Sequence, residues 1–241
     1  MTEGDTSSPE PRWGVGDALA AFLVGMVLSA FLGQVAGAMV GYRGRPGEAV
    51  PVAVTVASLV GLWTGLAGGA LYASRARGSG SLVRDFGVRV AGWGDALGGV
   101  VAGLGSQYLL VPLLYLPFEQ GNPGLRHRLE QPAKQDIGSV HGPAIIVLLV
   151  FLAIGAPIVE ELFFRGLLQR SLQRRLGPVA AIAGSSVIFG LAHFEALQLP
   201  ALIAFGVVLG VLAHRTSRLG PGMFAHAAFN AVTVLTLTLR H

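Results

Sequence analysis

The chain has 241 residues, 52% of them hydrophobic and only 12% charged, with a mean hydropathy of +0.63. Soluble domains carry about 25% charged residues, so this composition excludes an ordinary soluble globule and describes a polytopic membrane protein. The basic excess, 17 Lys and Arg against 13 Asp and Glu, does not point to nucleic acid, because basic loops beside apolar spans are the common membrane pattern. Cysteine is absent, which excludes disulfides, thiol chemistry and Cys-based zinc sites.

Residues 1–16 are polar and mildly acidic, with Pro9 and Pro11, and read as a disordered cytoplasmic tail. The apolar run 18–40 exceeds the ~7–15 residues of a signal-peptide core and suits a first transmembrane helix. Further spans are predicted near 50–73, 96–117, 143–176, 178–193, 200–213 and 223–239. The fold class is therefore all-α: a polytopic membrane bundle of about seven transmembrane helices, or eight if the connection 118–142 hides another. The chain divides into the tail (1–16), the N-terminal helices with the long loop (17–142), and a C-terminal membrane core (143–241).

Glycine recurs at spacings of four: Gly33, Gly37 and Gly41; Gly61, Gly65 and Gly69; Gly206 and Gly210. Small residues so spaced let membrane helices approach closely, either inside one bundle or across a homodimer. Arginines follow the second span (Arg75, Arg77, Arg84, Arg89), the fourth (Arg170, Arg174, Arg175) and the sixth (Arg215, Arg218). With seven spans these loops share one side, which the positive-inside rule makes cytoplasmic, with the N-terminus inside. The connection carrying Glu119, Arg126, Arg128, Glu130, Lys134 and Asp136 is mixed in charge and falls outside.

Most ionisable residues lie at span ends. Asp17 and Asp95 precede spans, where a helix dipole favours an anion, and Glu195 and His214 read as interfacial. Gln34 and Gln107 are embedded but uncharged, the type that glues helices together. Glu160, Glu161, Arg165, His193, His226 and Asn230 remain inside the bundle, although an ionised group there costs about 2.5–3.5 kcal/mol. If Gly177-Pro178 turns the chain, Glu160 and His193 both lie about 23 Å from it at ~1.5 Å per residue, and are level. His226 enters from the same side, with Asn230 on the same face at i+4.

Glu161 and Arg165 are also i, i+4 and can pair, while Glu160 points about 100° away. Two adjacent carboxylates in low dielectric do not both ionise freely unless Arg165 compensates. A carboxylate beside an imidazole suits water activation, and a second imidazole with an amide suits an oxyanion. The same cluster could equally be a buried polar network that fixes helix packing.

These residues resemble the motifs of the CPBP intramembrane proteases, also called the Abi or type II CAAX prenyl protease family. E-E-x-x-x-R stands as Glu160, Glu161 and Arg165; F-x-x-x-H as Phe189 and His193; H-x-x-x-N as His226 and Asn230. The resemblance implies a glutamate-dependent endopeptidase within the membrane, its catalytic core at 143–241. Carried over, Glu160 and His193 activate water, His226 and Asn230 hold the oxyanion, and Glu161, Arg165 and Phe189 support the site.

The expected partners are the lipid bilayer and a peptide or protein substrate, CAAX-like or other, reached from the membrane or the cytoplasmic side. The expected location is the bacterial cytoplasmic membrane. No cofactor is expected; the alternative is zinc at Glu160, His193 and His226, although H-E-x-x-H is missing. Competing functions are a non-catalytic scaffold or bacteriocin-immunity protein, and a small transporter using Glu160 as a relay, for which no internal repeat is visible.

Overall fold

The computed structural model describes residues 11–45, 48–122, 124, 125, 127–129, 131 and 142–239. Expectations for residues 1–10 and for Arg126, Glu130, Lys134 and Asp136 lie outside the described residues. Within them the protein is all-helical, without a strand. The helices are α1 (Val15–Val40), α2 (Val52–Arg77), the short α3 (Leu82–Phe86), α4 (Trp93–Glu119), α5 (143–176), α6 (178–191), α7 (Leu199–Thr216) and α8 (Gly220–Leu239). Each of the seven apolar segments is thus a helix. Among the described residues five helical stretches are long and apolar enough to cross a membrane: α1, α2, α4, Pro143–Leu191 and α7. The protein is an integral membrane protein.

Pro143–Leu191 is not one rod. Gly177 adopts φ 77° and ψ 173°, which breaks the helix between α5 and α6. A left-handed φ there favours a residue without a β-carbon, and Pro178 presets the first turn of α6. The two arms fold back on each other: Ser185 Oγ donates to Gln169 Oε1 at 3.1 Å, and these residues stand equally far from the break.

The glycine rows close interfaces within the chain. A β-carbon at Gly61 would lie 2.5 Å from the Leu28 carbonyl oxygen, and one at Gly65 would strike the Gly25 backbone, so this row seats α2 on α1. A further pair, Gly99 and Gly103, seats α4 on α8; a β-carbon at Gly99 would lie 2.5 Å from the Pro221 carbonyl oxygen. Between α2, α5 and α6 runs a core of Leu66, Phe163, Phe164, Leu167 and Phe189. Phe164 meets Phe163 and Phe189 edge-on, at 4.9 and 5.2 Å between centroids.

The arginine-bearing end is laced by side chains. Asp95 takes two bonds from Arg218, at 2.9 and 2.6 Å, and one from the Ala91 amide at 2.7 Å. Asp85 accepts from Ser74 Oγ at 2.5 Å and from the Ser79 amide at 3.0 Å, tying α3 to α2. Of the tail expected to be disordered through residue 16, residues 11–16 are instead ordered. Trp13 is buried, its ring 5.0 Å from Phe86 and 3.7 Å from the Arg174 guanidinium, which also donates to the Trp13 carbonyl. Asp17 caps α1 by accepting from the Gly14 amide at 2.9 Å. One large aromatic with a cation over its face offsets the entropy of ordering this short segment, which a polar average conceals.

Gly65→Leu should lower the melting temperature of the detergent-solubilised protein, since overpacking costs about 1–3 kcal/mol. Gly68→Leu, whose β-carbon meets nothing within 4 Å, should leave it unchanged. Equal melting temperatures for the two variants would contradict this packing.

Candidate active site

Among the described residues three stretches of helix are wound wide, with i→i+5 bonding: Ser106–Leu110 in α4, and Leu149–Gly155 and Glu161–Gln169 in α5. Such winding is rare and recurs at functional sites. All nine residues of Glu161–Gln169 are buried, and the polar cluster grows from this stretch.

Arg165 Nη1 donates to Glu161 Oε1 at 3.0 Å, and neither side chain has any exposure. Arg165 Nη2 donates to the Gly206 carbonyl of α7 at 3.2 Å, and the guanidinium lies 4.4 Å from the Phe189 ring centroid. The same Glu161 Oε1 accepts from His226 Nδ1 at 3.2 Å. Gly222 leaves room for this carboxylate, since a β-carbon there would lie 2.9 Å from Glu161 Oε2.

Glu160 points to another side of α5. Its Oε2 lies 3.9 Å from His226 Nε2, beyond hydrogen-bond length, and has no hydrogen-bond partner among the described residues. His226 therefore stands between the two glutamates. Its Nδ1–H is given to Glu161 and its Nε2 faces Glu160, while Phe189 and Phe205 wall it edge-on at 5.7 and 5.5 Å.

His193 sits in the turn just past α6 and is partly exposed. Its Nδ1–H donates to the Phe189 carbonyl at 2.8 Å, leaving Nε2 with the lone pair. Its ring meets Phe189 at 4.8 Å, so one phenylalanine touches Arg165 and both imidazoles. Asn230, one turn beyond His226 on α8, donates through Nδ2 to the Leu152 carbonyl at 2.9 Å. The structure thus gathers Glu160, Glu161, Arg165, Phe189 and His226, holds His193 at the edge through Phe189, and ties Asn230 to the wide-wound part of α5. Among the described residues no three of His, Asp and Glu gather as a metal site.

Several residues around the cluster carry no motif. Gln169 Nε2 donates to the Gly210 carbonyl at 3.0 Å, and Gln173 Nε2 meets His214 Nδ1 at 3.3 Å. With Arg165 to Gly206 these form a three-rung ladder between the parallel helices α5 and α7. The signal for it was the shared spacing of four: Arg165, Gln169 and Gln173 against Gly206, Gly210 and His214. Phe205 gave no signal, since an aromatic in an apolar span reads as core.

Arg165→Ala should destabilise the protein far more than Glu160→Gln. It leaves Glu161 buried without its cation, and breaking a buried pair costs about 3–5 kcal/mol. Melting curves in detergent would show it, and a wild-type curve for the Arg165 variant would contradict it.

Residues 142–232 match the family model described as type II CAAX prenyl endopeptidase Rce1-like. The chain is also similar to a Bacillus subtilis (strain 168) protein named "Putative membrane peptidase YdiL", with 32% identity over 92 residues. That match covers 38% of this chain and 38% of the relative, so the chain spans little more than a third of the relative's length. No solved structure matches. The matched segment contains Glu160, Glu161, Arg165, Phe189, His193, His226 and Asn230. Over residues 142–232 the chain is therefore similar to the type II CAAX prenyl endopeptidase Rce1-like family.

Proposed function

We propose that the protein is an intramembrane endopeptidase that hydrolyses peptide bonds with water activated by glutamate and histidine. The observation that carries this reading is the placement of His226 between Glu160 and Glu161, inside the segment that matches an endopeptidase family. The gap of 3.9 Å between His226 Nε2 and Glu160 Oε2 is of a length that one water closes.

Glu160 takes a proton from water as its oxygen attacks the scissile carbonyl carbon, and His193 Nε2 orients the same water. A protonated His226 gives Nε2–H to the developing oxyanion, and its charge is balanced by Glu161. Asn230 keeps a second amide hydrogen for the same oxygen. When the tetrahedral carbon collapses, the C–N bond breaks and the leaving nitrogen takes the proton from Glu160. Glu161 and Arg165 act as positioning residues, the first through His226 and the second through Glu161 and Gly206.

The substrates in this reading are peptides or protein segments at the membrane, CAAX-like or other. They are reached from the bilayer or from the side bearing the arginine loops. That side is cytoplasmic, in a bacterial cytoplasmic membrane with the N-terminus inside. One observation favours a second reading, a scaffold. The His226 and Asn230 side chains each bridge α8 to α5, which is what a packing network needs.

Cleavage of a fluorogenic farnesylated CAAX peptide and of an unprenylated transmembrane peptide by purified protein separates the two readings. Glu160→Gln and His193→Ala should each slow cleavage by about 100-fold or more while the protein stays folded. Full activity in the Glu160 variant defeats the mechanism, and no cleavage of either peptide by wild type favours the scaffold.

The reaction is further proposed to need no metal. Zinc would draw on Glu160, His193 and His226, but Arg165 places a fixed cation one turn from Glu160, which opposes a dication. Cleavage should therefore survive phenanthroline. About one zinc per chain, with activity lost on chelation and restored by zinc, would reassign those three residues as ligands.

A further inference from the structure

The helices α1 and α2 touch closely along only part of their length. A β-carbon at Gly61 would lie 2.5 Å from the Leu28 carbonyl oxygen, and one at Gly25 would lie 2.8 Å from that of Leu62. Toward the connection 41–51 this changes. A β-carbon at Gly33 would meet only the Ser58 side chain, and one at Gly37 would meet nothing of α2. The helices part there, and a cleft of about 690 Å³ opens between them. The Arg12 amide donates to the Arg77 carbonyl at 2.7 Å, which sets the other ends of α1 and α2 at the arginine-bearing face. The cleft therefore lies toward the opposite face.

Its lining is polar for a place between apolar helices. Ser29 and Gln34 of α1 and Ser58 of α2 border it, and Tyr42 and Arg43 stand at its mouth. Gly41, in the left-handed region at φ 72°, turns the chain back at the end of α1. The Tyr42 amide then donates to the Gly37 carbonyl at 2.9 Å, which folds Tyr42 over Gly37. The Ser29, Gln34 and Ser58 side chains have no hydrogen-bond partner among the described residues. The one carboxylate of this connection, Glu48, faces the main chain and accepts from the Arg43 and Arg45 amides at 3.5 and 3.0 Å. The Arg43 and Arg45 guanidinium groups have no ion pair among the described residues.

In a bilayer, a cleft between two helices fills with lipid, and polar groups without partners are costly there. Unpaired guanidinium groups at the mouth suit a phosphate, which they bind through charge-assisted hydrogen bonds. Gln34 lies two turns inside the end of α1, ~10 Å at 1.5 Å per residue. It offers an amide N–H₂ on the bilayer side of that mouth, where the ester carbonyls of a phospholipid follow its phosphate.

We propose that the cleft between α1 and α2 binds one anionic glycerophospholipid, its phosphate on Arg43 and an ester carbonyl accepting from Gln34. Two arginines against one committed carboxylate favour a headgroup of net negative charge, phosphatidylglycerol over phosphatidylcholine. An acyl chain leaves along the exposed face of α1 past Phe31 and Val27. The site shares no residue with the Glu160 cluster and does not depend on peptide cleavage.

The chain has no cysteine, so Val27→Cys, at a position 68% exposed and two turns deeper than Gln34, gives a single labelling site. The full-length protein carrying bimane there is reconstituted in phosphatidylcholine bilayers. Phosphatidylglycerol or phosphatidylcholine brominated on the acyl chains is then titrated in. Brominated phosphatidylglycerol should half-quench the label at a mole fraction about three- to tenfold lower than brominated phosphatidylcholine, the worth of one hydrogen bond. Arg43→Gln should bring the two lipids level, Gln34→Leu should weaken quenching by both, and Arg75→Gln at the other face should change neither. Two lipids that quench alike in wild type overturn the proposal. So does a preference that survives Arg43→Gln, a Gln34→Leu curve identical to wild type, or a preference abolished by Arg75→Gln, which marks bulk surface charge. Soluble glycerophosphate that relieves the quenching overturns it in favour of a site for free phosphate esters. A dimer that Gly37→Leu dissociates overturns it by placing a second copy in the cleft.

Discussion

Arg165 is a cation at a position with no exposure to solvent, and groups from three helices converge on it. Its fork reaches Glu161 on its own helix and the Gly206 carbonyl on α7, while its face lies on the Phe189 ring of α6. One side chain thus fixes the relative placement of three helices. The partner carboxylate is itself shared, because Glu161 also accepts from His226 of α8. The cost of burying the guanidinium is offset by a network that sets the imidazole facing Glu160. Losing either member would leave an uncompensated charge in low dielectric.

Backbone features make that placement available. The break at Gly177 returns α6 alongside α5, so that Phe189 can meet both Arg165 and His193. The wide winding of Glu161–Gln169 lets an unbroken row of nine buried residues face several neighbours. Glycines at 210 and 222 admit polar groups from α5 where a larger residue would exclude them. These are local departures from ideal helix geometry, and they cluster where the charged groups are.

Much of the fold was legible because bilayer length and the Gly177-Pro178 break act on the chain one segment at a time. The Arg165–Glu161 pair was legible for the same reason, since i, i+4 is a property of a single helix. What escaped depends on contacts between segments distant in sequence. Trp13 sits in a polar stretch whose average hides one aromatic docked under Arg174. The Gln169 and Gln173 rungs need the parallel register of α5 and α7, which no single-segment pattern reveals. The sharing of Glu161 by Arg165 and His226 likewise needs the position of α8. Gly99 and Gly103 lay in plain view at a spacing of four, but their partner helix could not be chosen from the spacing alone.

The central claim is that the Arg165–Glu161 pair holds the bundle together while Glu161 also holds His226 for chemistry. The double variant Glu161→Leu, Arg165→Met tests it most directly, because it removes both charges and fills the space with apolar groups. Replacing a whole buried pair in this way is often neutral for stability, whereas removing one partner is not. The account predicts a detergent melting curve close to wild type, well above that of Arg165→Ala, together with loss of peptide cleavage. A double variant as unstable as Arg165→Ala, or one that cleaves at the wild-type rate, would contradict it.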